Sequence, residues 1–347
     1  MPKYLIFILK LWQPIGKSLR LDYRKMHNSP NVIISTNNKA LVTEIKENIL
    51  ATLAYFDIFD YPLTSGEIYL FLKNKYGHDE FEFALKCLTG NRSIYQFSNF
   101  YTLKNDYSLI ARRCEGNKRA AQLIKVAGKV SDILIRFPYV RAIAISGSLS
   151  KNFADENSDI DLFIITAKNR LWIARTLMHA FKKLTFLVNK QDYFCMNYYI
   201  DEEQLEIVEK SIYTAIEIVT LIPLQGDSMI ENFYSANAWT RAYLPNKIMR
   251  LSSAKPVRPS FLKRLFEKVL DNNWGNAVDD KLMKITASRW LKKTRLKKLN
   301  SKGTIMGMDA NKHYAKPDPK NFQTPLLAQY ENKISQILVE PPNILAN

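Results

Sequence analysis

The residues best suited to chemistry in this chain lie within the short stretch SGSLSKNFADENSDIDLF, residues 146–163. Asp159 and Asp161 stand at i and i+2 at the head of an apolar run, Leu162–Ile165, so on a strand their carboxylates share one face. Gly147-Ser148 ends an earlier β-type run, Val140–Ile145, and a glycine turn lets backbone approach a ligand closely. Two carboxylates beside such a turn form an anionic corner. That corner suits magnesium (or manganese), which takes oxygen ligands and bridges nucleotide phosphates. Two ionised carboxylates on an otherwise apolar strand also require a compensating cation.

The elements around this stretch are the ones needed to position it. A long helix is predicted from about Glu115 to Phe137, closed by Phe137-Pro138 ahead of the first strand. A second helix covers Arg170–Phe186, with Asn169 as its N-cap. A β-type run follows at Tyr193–Ile200, then a helix over roughly Leu205–Leu221. This order predicts an α+β layout with a small mixed sheet covered on one side. Further on, Ile230–Ala242 is rich in aromatics, Ser252–Ser260 reads as a linker and Phe261–Leu299 is helical. Gly303–Thr324 reads as a loop, with a last helix over about Pro325–Leu338.

Ahead of the site, apolar spacing at Leu41, Ile45, Ile49, Leu53 and Phe56 predicts a helix. Thr64 and Glu67 make a capping box that starts a second. A third runs about Glu80–Leu88. Ser93–Phe97 and Phe100–Leu103 then form a hairpin with Ser98-Asn99 at its tip. Three helices and a hairpin give the order of a winged helix. Asp79, Glu80 and Glu82 open its third helix, where carboxylates oppose a phosphate-lined groove, so a partner-docking role fits better than DNA reading.

Composition bounds the rest. At 347 residues, 47% hydrophobic, the chain has room for two or three domains. We divide it at 1–40, a basic extension; 41–110, the winged-helix-like part; 111–225, the part that carries Gly147, Asp159 and Asp161; and 226–347, a basic, mainly helical region. Cys87, Cys114 and Cys195 are sparse and lack metal-ligand spacing, which fits reduced thiols in a cytoplasmic setting. Four scattered histidines give no zinc pattern. The apolar N-terminal run Tyr4–Trp12 is too short to span a bilayer, and no transmembrane segment is expected. Net charge is +17, and residues 245–320 hold 19 Lys/Arg against 6 Asp/Glu. Such clustering suits a polyanionic partner, nucleic acid or an anionic surface.

The pattern of Gly147-Ser148, a loop, then Ser158-Asp159-Ile160-Asp161 with apolar flanks resembles the DNA polymerase beta-like nucleotidyltransferase superfamily, in its minimal (MNT-type) form. Over roughly residues 45–335 the chain also resembles a bacterial group that joins a winged-helix-like domain, here LATLAYFDIFDYPLT, to such a domain and a helical tail. The resemblance implies that Asp159 and Asp161 hold metal, while Gly147, Ser148 and Lys151 bind the triphosphate of an NTP. A hydroxyl acceptor (protein side chain, RNA end or small molecule) would then take the NMP. One departure stands out. Members of the superfamily usually carry a third carboxylate on a neighbouring strand, and here that third position falls at Asn197. Asp201 shares its parity at the strand's end, and Asp192 falls on the opposite parity. Two alternatives follow: a nucleotide-binding regulator with impaired catalysis, or a nucleic-acid-binding protein on a relic fold. Arg170 and Arg175 are further candidates for contact with base or phosphate, Tyr198 and Tyr199 for stacking on a base, and Gly307, Asp309 and His313 for a loop that folds over the site.

Overall fold

The computed structural model describes residues 36–185, 194–247, 249, 254–296, 307–318 and 322–339. The chain divides into two compact units, Met1–Leu41 and Val42–Asn347. The apolar run Tyr4–Trp12 lies outside the described residues, as does Asp192.

The second unit begins within helix α1 (Thr36–Asp57), whose Ile45, Ile49, Leu53 and Phe56 are buried at the predicted helical spacing. Strand β1 (Leu63–Thr64) follows, then α2 (Ser65–Leu70), α3 (His78–Gly90), β2 (Tyr95–Phe97) and β3 (Phe100–Thr102). Thr64 and Glu67 close the capping box from both sides. The strands pair antiparallel in the order β1-β3-β2, with Ser98 at positive φ in the hairpin tip.

Helix α4 (Ser108–Leu134) leads to β4 (Val140–Ile145), the short α5 (Gly147–Ser150), β5 (Ile160–Thr166), α6 (Leu171–Thr185) and β6 (Phe194–Asp201). Next come α7 (Ile212–Thr220), β7 (Ile222–Gln225), α8 (Asp227–Ala236) and a 3-10 turn, Ala238–Ala242. The remainder is α9 (Phe261–Leu270), α10 (Asn273–Arg295), β8 (Gly307–Ala310), β9 (Tyr314–Asp318) and α11 (Gln323–Val339). Six strands form one mixed sheet in the order β7-β4-β5-β6-β9-β8. Only β5 and β6 run parallel, joined by the α6 crossover.

Both faces of this sheet are covered, not one. Ile143, Ile145, Ile160, Leu162 and Ile164 pack with α4, α6 and Trp290 of α10. Ala142, Ala144, Phe163 and Ile165 alternate with them and pack under α7 and α8. Each fully buried aliphatic side chain contributes about 1.5–3 kcal/mol, so alternation pins the register, and with it Asp161, to the α7 side. The predicted loop at 303–324 also contains β8 and β9, which extend the sheet past β6. No helix among the described residues is long and apolar enough to cross a membrane.

Arg112 and Arg113 fasten the N-terminal helices to this core. Arg112 donates to the carbonyls of Phe59 and Asp60, and pairs with Asp155 at 2.9 Å. Arg113 is buried, pairs with Glu67 at 2.7 Å, and lies 3.6 Å from the Tyr61 ring centroid. The Tyr61 hydroxyl donates to the carbonyl of Lys151.

Candidate active site

Strand β4 ends in a turn that only glycine fits. Gly147 has φ +67, and a Cβ there would stand 2.4 Å from Asp161 Oδ2. The Ser146 N–H donates to the Asp161 carbonyl at 2.9 Å, so the turn is stitched to the start of β5. Phe153 carries the loop back by packing on Gly116 of α4, where a Cβ would fall 2.2 Å from its ring. The Ser158 hydroxyl accepts from the Asp155 N–H at 2.8 Å and shapes the approach to Asp159. Sequence-local chemistry thus brings the Gly147 bend and the two aspartates together.

Asp159, Asp161, Gly147, Ser148, Lys151 and Asn197 all line one cavity of about 810 Å³. Asp159 is exposed just before β5, and Asp161 is half-buried on it. Asp161 Oδ1 accepts from Asn197 Nδ2 at 2.5 Å, so the predicted third position lies directly against the carboxylate. A bulge accounts for this: Leu162 pairs with Met196 and Phe163 with Tyr198, leaving Asn197 as the extra residue. Asn197 and Tyr198 consequently both line the cavity, while Tyr199 is fully buried, its hydroxyl 2.9 Å from Met196 Sδ.

The same bulge removes Asp201 from contention. It is fully buried, and its carboxylate accepts from the N–H groups of Asn169, Glu203 and Gln204. His313 Nδ1 lies 3.0 Å from its Oδ2. Asp201, Glu203 and His313 bring ligand atoms within 4.8 Å of one another, but the Asp201 oxygens already serve these protein donors.

Lys151 holds two protein partners. Its Nζ donates to the Gly147 carbonyl at 3.0 Å and to Glu217 Oε1 at 2.6 Å. Glu217, from α7, is a further cavity carboxylate, absent from the motif around Gly147 and Asp161. The signal was present: in IYTAIEIVT it is the only charge on a helix with six buried residues. Phe59, Tyr213 and Phe322 form an aromatic wall, with Phe322 6.1 Å from Phe59 and 6.2 Å from Tyr213. Burial pushes the Tyr198 hydroxyl above its ordinary pKa, so it stays a neutral donor.

The remaining sequence candidates lie elsewhere. Arg170 is buried and holds the Leu270 carbonyl at 2.7 Å, anchoring the α9–α10 junction. Arg175 stacks 4.9 Å from the Trp290 ring centroid between α6 and α10. Asn169 is not an extended N-cap: its φ is +56, and its N–H reaches Asp201. Gly307 and Asp309 belong to the β8–β9 hairpin, where Asp309 accepts from the Tyr314 hydroxyl at 2.5 Å, and none of the three covering-loop residues lines the cavity.

Residues 127–224 match the family model of the nucleotidyltransferase domain. The matched segment runs from the last turns of α4 into β7 and contains the Gly147 bend, both aspartates, Asn197 and Glu217. The match supports the nucleotidyltransferase superfamily for this segment and nucleotidyl transfer as its general chemistry, and the mixed α+β fold agrees. No curated protein and no solved structure matches the chain.

Proposed function

We propose that the chain is a Mg2+-dependent nucleotidyltransferase that moves an NMP from an NTP to a hydroxyl acceptor. The observation that carries this reading is the contact of Asp161 with the Gly147 bend, in the cavity that also holds Asp159 and Ser148. Cys195 also lines the cavity, but the carboxylate oxygens of Asp159 and Asp161 are the donors that fit a hard divalent cation. Asp159 and Asp161 would hold it. When bound, such an ion neutralises charge developing on the transferred phosphoryl group. Gly147 and Ser148 would hold the triphosphate through backbone and hydroxyl, and Lys151 would add a point charge. The acceptor oxygen forms a bond to the α-phosphorus, the bond to the bridging oxygen breaks, and pyrophosphate leaves.

The acceptor proton needs a base, and Asn197 cannot serve. Glu217 is our candidate, because a triphosphate entering the cavity competes with it for the Lys151 ammonium and frees its carboxylate. The Asn197–Asp161 hydrogen bond favours one rival reading, a regulator that binds NTP without turning it over. Incubation with α-labelled NTPs, Mg2+ and cell lysate separates them. Transfer of label that Asp159→Ala or Asp161→Ala abolishes supports the enzyme. A rise in thermal stability with NTP and no transfer of label supports the regulator.

The strand order β1-β3-β2 and the helix order around it support a winged-helix-like N-terminal part. Asp79 and Glu80 in the first turn of α3 favour partner docking over DNA reading. Cys87, Cys114 and Cys195, none of them in a disulfide, support a cytoplasmic setting. The charge of residues 245–320 supports an anionic partner.

A further inference from the structure

Helix α9 is packed inside out. Lys263, only 3% exposed, points into the protein, where its Nζ donates to the carbonyls of Ile135 and Val140 at 2.8 and 2.6 Å. One turn on, Glu267 accepts from the Tyr139 N–H at 2.6 Å and pairs with Arg141 at 2.9 Å. Residues at i and i+4 share a helix face, so the charged face is the one that docks. Burial draws the Lys263 ammonium down to a pKa of about 8, so this orientation is held against a desolvation penalty. The apolar side faces solvent. Phe261, Leu262, Leu265, Phe266 and Val269 are between 41% and 74% exposed, and Trp274 beyond the helix is 65% exposed. Soluble chains seldom leave such a row of large side chains in water, and contiguous patches of this kind mark interaction sites.

We propose that α9 lays this apolar row into the headgroup layer of an anionic lipid bilayer, with Arg264 and Lys268 on the lipid phosphates. Charge selects the occupant. Arg264 and Lys268 lie at i and i+4 beside the apolar row and have no carboxylate partner among the described residues. Glu267, the helix's own carboxylate, is turned inward. A second copy docked by the same face would bring the two pairs of cations together, while Glu267 is turned away from that contact and Asp271 lies beside Arg170. A nucleic acid would meet the cations but has no use for five large apolar side chains. An amphipathic helix with aromatic and aliphatic residues on one side and lysine and arginine beside them suits a bilayer interface. The net +13 of residues 245–320 adds longer-range attraction to the same surface.

The test is co-sedimentation of the full chain with phosphatidylcholine vesicles, with and without phosphatidylserine. Binding is expected on the anionic vesicles, with Trp emission shifting to the blue and Trp274→Phe diminishing that shift. Leu262→Ser with Phe266→Ser is expected to lower partitioning about tenfold or more. Arg264→Glu with Lys268→Glu is expected to remove the preference for phosphatidylserine. All four side chains face solvent, so thermal melts are expected to stay near that of the parent chain, which separates lost binding from lost folding. Failure to bind phosphatidylserine vesicles overturns the proposal, as does an apolar double variant that binds like the parent. A concentration-dependent dimer abolished by the apolar pair would assign the face to a second copy. Oligonucleotide binding abolished by that pair would assign it to nucleic acid, and either result overturns the bilayer.

Discussion

Gly147 and Asp161 touch: a single added methyl group on the glycine would stand 2.4 Å from the aspartate's Oδ2. Gly147→Ala therefore both strains a φ of +67 and displaces the carboxylate. A shift near 1 Å at a reacting centre is worth about 100-fold in rate. Label transfer is expected to fall by about that factor while stability falls only ~1–3 kcal/mol. Transfer at the parental rate would mean that Asp161 is not held in place by the bend.

Asn197→Asp probes the third position. The Asn197 amide now donates to Asp161 at 2.5 Å, and a carboxylate there faces another carboxylate instead. Like charges this close raise one pKa and destabilise the metal-free protein. The expected outcome is a lower melting temperature without metal, a larger rise on adding Mg2+, and faster transfer. Unchanged transfer and an unchanged metal response would remove Asn197 from the site.

Glu217→Gln separates base from scaffold. The amide keeps its shape and can still accept from Lys151 Nζ, now 2.6 Å from Glu217 Oε1. A positioned general base contributes about 10²–10⁴-fold. The transfer rate is expected to drop by that order, with NTP affinity little changed. A variant that transfers label at the parental rate would place the base elsewhere.

Much of the site was legible because its geometry is local. The Gly147 bend and the Asp159/Asp161 pair lie within fifteen residues, and the Thr64–Glu67 box within four. Local spacing could not show the bulge at Asn197, since counting parity along β6 assumes an unbroken ladder. Nor could it show Glu217, whose importance rests on Lys151, 66 residues away. Sequence signals alone make a loop of the β8–β9 hairpin, because Gly, Asn and Pro outweigh two short strands. Pairing with β6 supplied what propensity lacked.

Arg113→Ala tests the clamp between the N-terminal helices and the loop that carries Lys151. Arg113 is 3% exposed and pairs with Glu67 at 2.7 Å, which is itself part of the capping box. Because the Glu67 side chain keeps 30% exposure, water takes over part of the lost contact, and the cost is about 1–3 kcal/mol. Denaturant unfolding is expected to show a loss of that size. Because Tyr61 sits beneath the guanidinium and its hydroxyl donates to the Lys151 carbonyl, NTP affinity is expected to fall as well. A variant as stable as the parent would show that the clamp is dispensable.

Asp279 sets a pH dependence whose sign can be worked out. It is 2% exposed and accepts the Ile173 N–H at 2.8 Å, tying α10 to the start of α6. Burial raises its pKa from 3.8 to about 7. Between those values the folded state binds more protons than the unfolded one, so this residue's contribution to stability is full below about pH 4 and declines as pH rises to about 7. Asp279→Asn keeps an acceptor for Ile173 and does not titrate. Relative to the parent, the variant is expected to gain stability steadily across that window, by up to ~3–4 kcal/mol, and no further above it. Urea unfolding at about pH 5, 6 and 8 measures this directly. A constant difference between the two proteins at all three values would mean that Asp279 is already ionised at the lowest.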